Sequence, residues 1–362
     1  MMITNKPTVS VLMSVFNGER YLQQSIDSIL NQSFANFEFV IVDDGSSQAV
    51  KRILAAQKDP RIVLITNQLN IGLTKSLNLG LEHCCGKYIA RMDSDDIAHS
   101  ERLRRQVDLL DNQPEIAVVG AQIRVINCEG KIIRYNQIKR GTTALSCRWQ
   151  HLFDSPVAHS SAMFRREVIY NKLSGYDENF TTSQDYELWS RVIKNHDITN
   201  IKEVLLDFRV HSESVSKQYS RENIKKVATL FQNNLEATIG TNDFLSTFGL
   251  NWVSVTNPDS MPNLSDYSEI VKQLLFVNRL FSNKYQVDNQ KNTKQEINAH
   301  IVEKFYLIGL AASNNDRKAT FWALLYAIKY GGLHFPMFPI KLVLIYFLGH
   351  TRIQKIKLFF RI

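Results

Sequence analysis

The chain of 362 residues has no acidic residue after Asp316, only four cysteines, and no Gly-x-Gly-x-x-Gly pattern. Each absence removes a class of function. Cys84 and Cys85 are adjacent while Cys128 and Cys147 stand alone, so there is no C-x-x-C spacing for zinc or thiol redox chemistry. Buried small hydrophobes in a reducing compartment is the reading that remains. The missing glycine pattern argues against a dinucleotide dehydrogenase, and no Gly-rich basic loop supports a nucleotidyltransferase. Residues 1–8 are polar and no small-residue cleavage site follows the apolar run Val9 to Phe16, so a cytoplasmic location is expected. The apolar C-terminal stretch from Phe321 to Gly349 is broken by Gly331-Gly332, Pro336 and Pro339. It therefore contains no run of about 20 residues to span a bilayer.

What is present begins with a displaced charge. The formal net charge is +8, and the eight basic residues after Asp316 (from Arg317 and Lys318 to Arg361) account for all of it. A neutral body with a basic, aromatic-rich end does not resemble a nucleic-acid binder. The tail, 317–362, is expected to lie on an anionic membrane surface, peripheral at the inner face of the plasma membrane. Its alternative is a helical subdomain packed on the rest of the chain.

Apolar runs and helical periodicities alternate through the first hundred residues. Strands are expected at 8–16, 37–42, 61–66 and 87–92, with helices at 19–32, 48–58 and 73–84. This order predicts an α/β fold, a doubly wound, mostly parallel sheet flanked by helices. Farther on, strands are expected at 116–127, 157–164 and 202–210, and helices at 142–152 and 185–195. From about 218 the chain reads as mainly helical. Two domains follow, 1–217 and 218–362, with the boundary near 215–222.

In such sheets ligands sit at the carboxyl ends of the strands. Two strands end in clustered carboxylates, Asp43-Asp44-Gly45-Ser46-Ser47 and Asp93-Ser94-Asp95-Asp96. Asp and Ser also form turns and helix caps, but two clusters at corresponding ends of one sheet favour a site. Crowded carboxylates repel unless a cation sits between them, and hard cations take carboxylate oxygens alongside substrate phosphates. Transfer of a sugar from a nucleotide diphosphate needs that cation against the leaving group and a base for the acceptor hydroxyl. Asp185 and Glu187, opening the helix at Gln184, are candidate bases, since a helix N-terminus keeps a carboxylate ionised.

Several stretches carry a resemblance in consistent order: Val9–Leu30 with Phe37–Ser47, Asn70–Asn78, Gly86–Asp96, His159–Arg166, Gly175–Glu178, Gln184–Arg191 and Leu205–His211. Over roughly residues 8 to 215 the chain resembles the family 2 glycosyltransferases of GT-A fold, inverting enzymes of the bacterial polysaccharide type. The resemblance implies that Ser14 and Phe16 line the nucleotide-base pocket and that Asp44 accepts a hydrogen bond from a base, uracil by preference. It makes Asp93 and Asp95 a D-x-D pair around Ser94, with Asp95 the metal ligand and Asp93 nearer the ribose. Asp185 takes the place of the catalytic base, which makes the transfer inverting. Two departures stand out: Gln184-Asp185 replaces Glu-Asp, and Ser14-Val15-Phe16-Asn17 replaces Pro-x-Tyr-Asn.

His211 reads either as a third metal or diphosphate contact or as a loop imidazole. His159, Gln184 and Glu187 read as residues on the acceptor or the donor side. Lys75 reads as a donor contact or a solvated helix lysine. The implied activity is a metal-dependent transfer, with Mg²⁺ or Mn²⁺, from a nucleotide-diphosphate sugar, expected to be a UDP-sugar. The acceptor is a hydroxyl of a glycan or lipid-linked molecule, in cell-surface polysaccharide synthesis. A catalytically inactive sugar-nucleotide-binding or scaffolding module and a nucleotidyltransferase are the alternatives.

Overall fold

A computed structural model describes residues 6–135, 140–211, 221–256, 266–313 and 316–331. The chain divides into two compact units between residues 218 and 219. The boundary region expected at 215–222 lies largely outside the described residues, as does the basic, apolar segment 332–362.

The first unit opens with β1 (Val9–Val15), α1 (Glu19–Leu30), β2 (Phe37–Asp43), α2 (Gln48–Ala55), β3 (Ile62–Thr66), α3 (Leu73–His83) and β4 (Tyr88–Asp93). These strands pair in parallel in the order β3-β2-β1-β4. Period-two alternation drives the layering. Val9, Val11, Met13 and Val15 of β1 join Leu22, Ile26 and Ile29 of α1 and Val50 of α2 in one core. Leu12, Val40 and Val42 join Leu77 and Leu81 of α3 in another. Both faces are thus covered, and each fully buried Leu, Ile or Val contributes about 1.5–3 kcal/mol.

The second half of the sheet is mixed. It comprises β5 (Ile97–Ala98), α4 (Arg102–Asn112), β6 (Ile116–Ile126), β7 (Ile132–Tyr135), α5 (Ala144–His151), β8 (Met163–Arg165), α6 (Gln184–Val192) and β9 (Asp197–Arg209). Beyond β4 the strand order continues β8-β6-β9-β5, with β7 against β6. β8 runs antiparallel to β4 and β6, while β9 runs parallel to β6.

Three differences from the sequence expectation have physical causes. The strand expected at 157–164 is a 3₁₀ turn at His159–Ser161 followed by the three-residue β8. There the Ser161 hydroxyl donates to the Ala158 carbonyl (2.8 Å), bending the chain out of the ladder. α4 was not expected, because Arg102 and Gln106 share its buried face with Leu103, Val107 and Leu110 and dilute the apolar stripe. β9 begins at Asp197, earlier than anticipated, and shifts register against β6 near Gln122.

The second unit is helical in its described residues: α7 (Arg221–Ile239), α8 (Phe248–Thr256), α9 (Tyr267–Tyr285), α10 (Lys291–Ala312) and α11 (Arg317–Gly331). Phe231 of α7 meets Phe248 of α8 edge-on at 5.7 Å, and Phe305 of α10 stacks on Tyr326 of α11 at 5.4 Å. The basic tail therefore starts as a helix that buries Ala319, Ala323 and Ala327. The same helix leaves Phe321, Trp322, Leu325 and Ile328 exposed. No helix among the described residues is long and apolar enough to cross a membrane.

Candidate active site

Register places the site at the carboxyl ends of the parallel strands. Ser14 pairs with Asp93 across β1 and β4, and Val15 pairs with Asp43 across β1 and β2. Ser14 is nearly buried, whereas Phe16, just past the strand end, is 53% exposed and offers a ring face.

The first aspartate cluster is filled by the protein's own donors. Asp43 accepts the Ser46 amide (3.0 Å), which closes the turn. Asp44 is buried and accepts three donors at 2.9 Å: Asn67 Nδ2 and the Ile71 amide on Oδ1, and the Gly72 amide on Oδ2. It thereby pins the loop leading into α3. Gly45, which follows Asp44, has φ +73°, and a Cβ there would stand 2.6 Å from the Leu69 carbonyl carbon. A base contact by Asp44 would have to use the remaining lone pair of Oδ2.

The second cluster is different. Asp93, Asp95 and Asp96 each bring a carboxylate oxygen within 4.8 Å of the others. Asp96 is fully buried, accepting the Ser160 hydroxyl (2.5 Å) on one oxygen and the Arg209 amide (2.8 Å) on the other. Asp95 meets His211 Nε2 at 2.9 Å. Burial, with Asp93's charge second, pushes Asp95 up, against the pull of His211. Asp96 is pushed well above the carboxylate range by burial and then by the charges of Asp93 and Asp95. Such unmet negative charge, built from hard oxygens with an imidazole beside it, fits a divalent cation.

Two arginines frame this cluster. Arg91, in β4 and 1% exposed, pairs with Asp93. Burial opposes its charge, but Asp93 and its neighbours outweigh that and hold the guanidinium firmly protonated. Arg209, at the end of β9, donates through Nε to the Asp95 carbonyl (2.8 Å) and lies 4.4 Å over the Tyr21 ring. Tyr21 in turn meets the His211 ring at 5.2 Å. The acidic turn is thus held by the end of β9.

Asp185 lies in the first turn of α6 and accepts the Ser155 hydroxyl at 3.0 Å. Burial raises its pKa, partly offset by Ser155, by backbone amides and by the charge of Arg91. The turn at His159–Ser161 links the acidic cluster to α6: Ser160 donates to Asp96, and the His159 ring meets Trp189, on the helix that carries Asp185, edge-on at 6.3 Å. His159 Nε2 meets the Tyr176 hydroxyl at 2.8 Å, and burial holds the ring neutral with its pKa well below the usual value. Tyr176 is itself pushed up, chiefly by burial.

Not every expected residue stands at the cleft with a free group. Glu187, a candidate base, forms a two-pronged pair with Arg191 (2.7 Å to both Nε and Nη2), and Arg191 caps the Leu173 and Gly175 carbonyls. It is a brace and not an available base. Gln184 is buried beside Asp185, and Ser94 is half-buried within the acidic turn. Lys75 is exposed in the first turn of α3 and pairs with none of these aspartates. Asp96, Arg91, Ser155, Tyr176 and Arg209 were not singled out from the sequence. Arg91 and Arg209 nevertheless sit inside recognisable stretches, as buried cations at strand positions where an apolar residue is the rule.

Comparison with known proteins adds an independent line. Residues 10–171 match the family model described as glycosyl transferase family 2. The chain is 34% identical over 222 residues to the O-antigen biosynthesis glycosyltransferase WbnJ of Escherichia coli, covering 58% of this chain and 82% of WbnJ. It is 32% identical over 232 residues to the amylovoran biosynthesis glycosyltransferase AmsE of Erwinia amylovora, covering 62% and 84%. The crystal structure of S. aureus TarS 1–349 in complex with UDP-GlcNAc shares the fold, with a TM-score of 0.56 at 15% identity over 90% of this chain and 92% of that one.

Proposed function

This chain belongs to glycosyl transferase family 2, and from that premise we propose that it transfers a sugar, with inversion, from a UDP-sugar to an acceptor hydroxyl. The observation that carries this reading is the cluster of Asp93, Asp95 and Asp96, joined by the turn of His159 and Ser160 to the helix that presents Asp185 in its first turn.

In this reading Ser14 and Phe16 receive the base, with Asp44 beneath them, while Ser94 and Lys75 lie toward the rest of the donor. Asp95 and Asp93, with His211, would hold Mg²⁺ or Mn²⁺. Bound there, the ion would supply positive charge against the leaving diphosphate. Asp96 and Arg209 fix the turn that carries these ligands. Asp185 accepts the acceptor's proton as the acceptor oxygen bonds to the anomeric carbon and the bond to the diphosphate breaks. One displacement from the opposite face inverts that carbon. A raised pKa suits this step, because a base works best when its pKa approaches the working pH. His159, paired with Tyr176, orients the sugar or the acceptor, and Gln184 stands beside the base.

The two relatives named for O-antigen and amylovoran biosynthesis support cell-surface polysaccharide synthesis as the setting, with a glycan or lipid-linked acceptor. The UDP-GlcNAc bound to TarS supports a uridine donor. The stripe Phe321, Trp322, Leu325 and Ile328 on α11, beside cations and no acids, supports residence at an anionic membrane surface. The test is a donor panel: purified protein, Mg²⁺ or Mn²⁺ and a set of nucleotide sugars, read as released nucleoside diphosphate. Release of UDP from one UDP-sugar is expected. Silence across the whole panel would sink the reading.

A further inference from the structure

The helical unit holds an open cleft of about 680 Å³ that none of the catalytic residues line. Its wall carries four cations, Lys272, Arg279, Lys294 and Lys329, against one carboxylate, Asp288. Lys294 is paired with Asp288 at 2.7 Å and Lys272 with Glu269 at 3.4 Å, so Arg279 and Lys329 leave the cleft positive. Between the cations stand carboxamides, Asn278, Asn283 and Asn298, and the aromatic rings of Phe276 and Tyr330. Asn278 is 9% exposed, and its Oδ1 has no hydrogen-bond partner. A buried amide oxygen without a donor is costly unless something fills it.

Amides, ring faces and cations together match one chemistry. Sugar hydroxyls donate to amide oxygens, the apolar faces of sugar rings lie on aromatics, and carboxylates or phosphates pair with Lys and Arg. We infer that this cleft binds an acidic saccharide, a stretch of the acceptor glycan away from the hydroxyl that reacts. The inference rests on the glycosyltransferase reading for the word acceptor, but not for the binding itself. Asn278 Oδ1 accepts a sugar hydroxyl, and Arg279 and Lys329 meet the acidic group.

The test uses the full chain without donor. Titration calorimetry measures binding of tetragalacturonate, of maltotetraose as its uncharged counterpart, and of inorganic phosphate. Tetragalacturonate alone should bind well. Arg279→Gln with Lys329→Gln should weaken it at least about tenfold. Asn278→Leu should weaken it by a similar factor while the unfolding midpoint stays level or rises, because the unpartnered oxygen is gone. A purely structural Asn278 would instead lose stability and leave binding alone. Equal binding of maltotetraose, equal binding of phosphate alone, or no binding of tetragalacturonate would each overturn the inference. UDP release from the donor is followed in parallel. All variants should keep it, and its absence in the wild type would defeat the enzyme reading whatever the calorimetry gives.

Discussion

The two aspartate clusters at the ends of β2 and β4 look alike in sequence and do opposite things in the fold. Asp43 and Asp44 are surrounded by donors from the protein, four contacts that close one turn and fix the next loop. Asp93, Asp95 and Asp96 press on one another and remain short of positive charge despite Arg91 and His211. Adjacent aspartates in the sequence are therefore not themselves the mark of a cation site; what sets the second cluster apart is three carboxylates within 4.8 Å of one another.

The sharpest way to break this contrast is to neutralise one member of each cluster. Asp95→Asn should reduce transfer by at least about 10²-fold while the circular dichroism and unfolding midpoint hold, since it removes a ligand of the proposed cation that offsets the leaving diphosphate. Asp185→Asn should lower turnover by about 10²-fold or more with donor affinity little changed, as read by steady-state kinetics. If Asp185→Asn turned over normally, the base would have to be sought elsewhere, and Glu187 is already occupied by Arg191. Asp44→Asn should act mainly on folding. It turns a buried acceptor of three donors into a weaker one, at about 1–3 kcal/mol by denaturant titration.

The smallest effect concerns pH. Asp185 must be ionised to take a proton, and burial places its pKa above the ordinary carboxylate value. Turnover should therefore fall as pH drops through that raised pKa, at a higher pH than an exposed aspartate would give. The Ser155 hydroxyl favours the charged form. Ser155→Ala should therefore raise the pKa further and move the acid limb of the rate profile to higher pH.

The parallel half of the fold was legible because its cues are local. Each of β1, β2 and β4 is an apolar run that stops at a turn or an acidic stretch, and the helices between them keep their spacing. The cues failed where the partner lies far along the chain. Asp96 reads as one more acid in a turn, and its burial depends on Ser160 and on Arg209, 113 residues on. Arg91 occupies an inward strand position that the alternation rule assigns to an apolar side chain, and only the carboxylates around it explain its place. Glu187 and Arg191 are four residues apart on one helix, a spacing that pairs charges. That pairing was visible in the sequence, but a carboxylate beside Asp185 invited the catalytic reading. The C-terminal unit showed its helices by composition, whereas the cleft between α9, α10 and α11 comes from tertiary packing alone.

The most direct test of the central contrast is Mn²⁺ binding at saturating UDP, followed by the loss of the free-ion electron paramagnetic resonance signal. Wild type and Asp44→Asn should take up the ion comparably, and Asp95→Asn should lose it. Undiminished Mn²⁺ uptake by Asp95→Asn, or its loss in a folded Asp44→Asn, would contradict the assignment of the second cluster as the cation site.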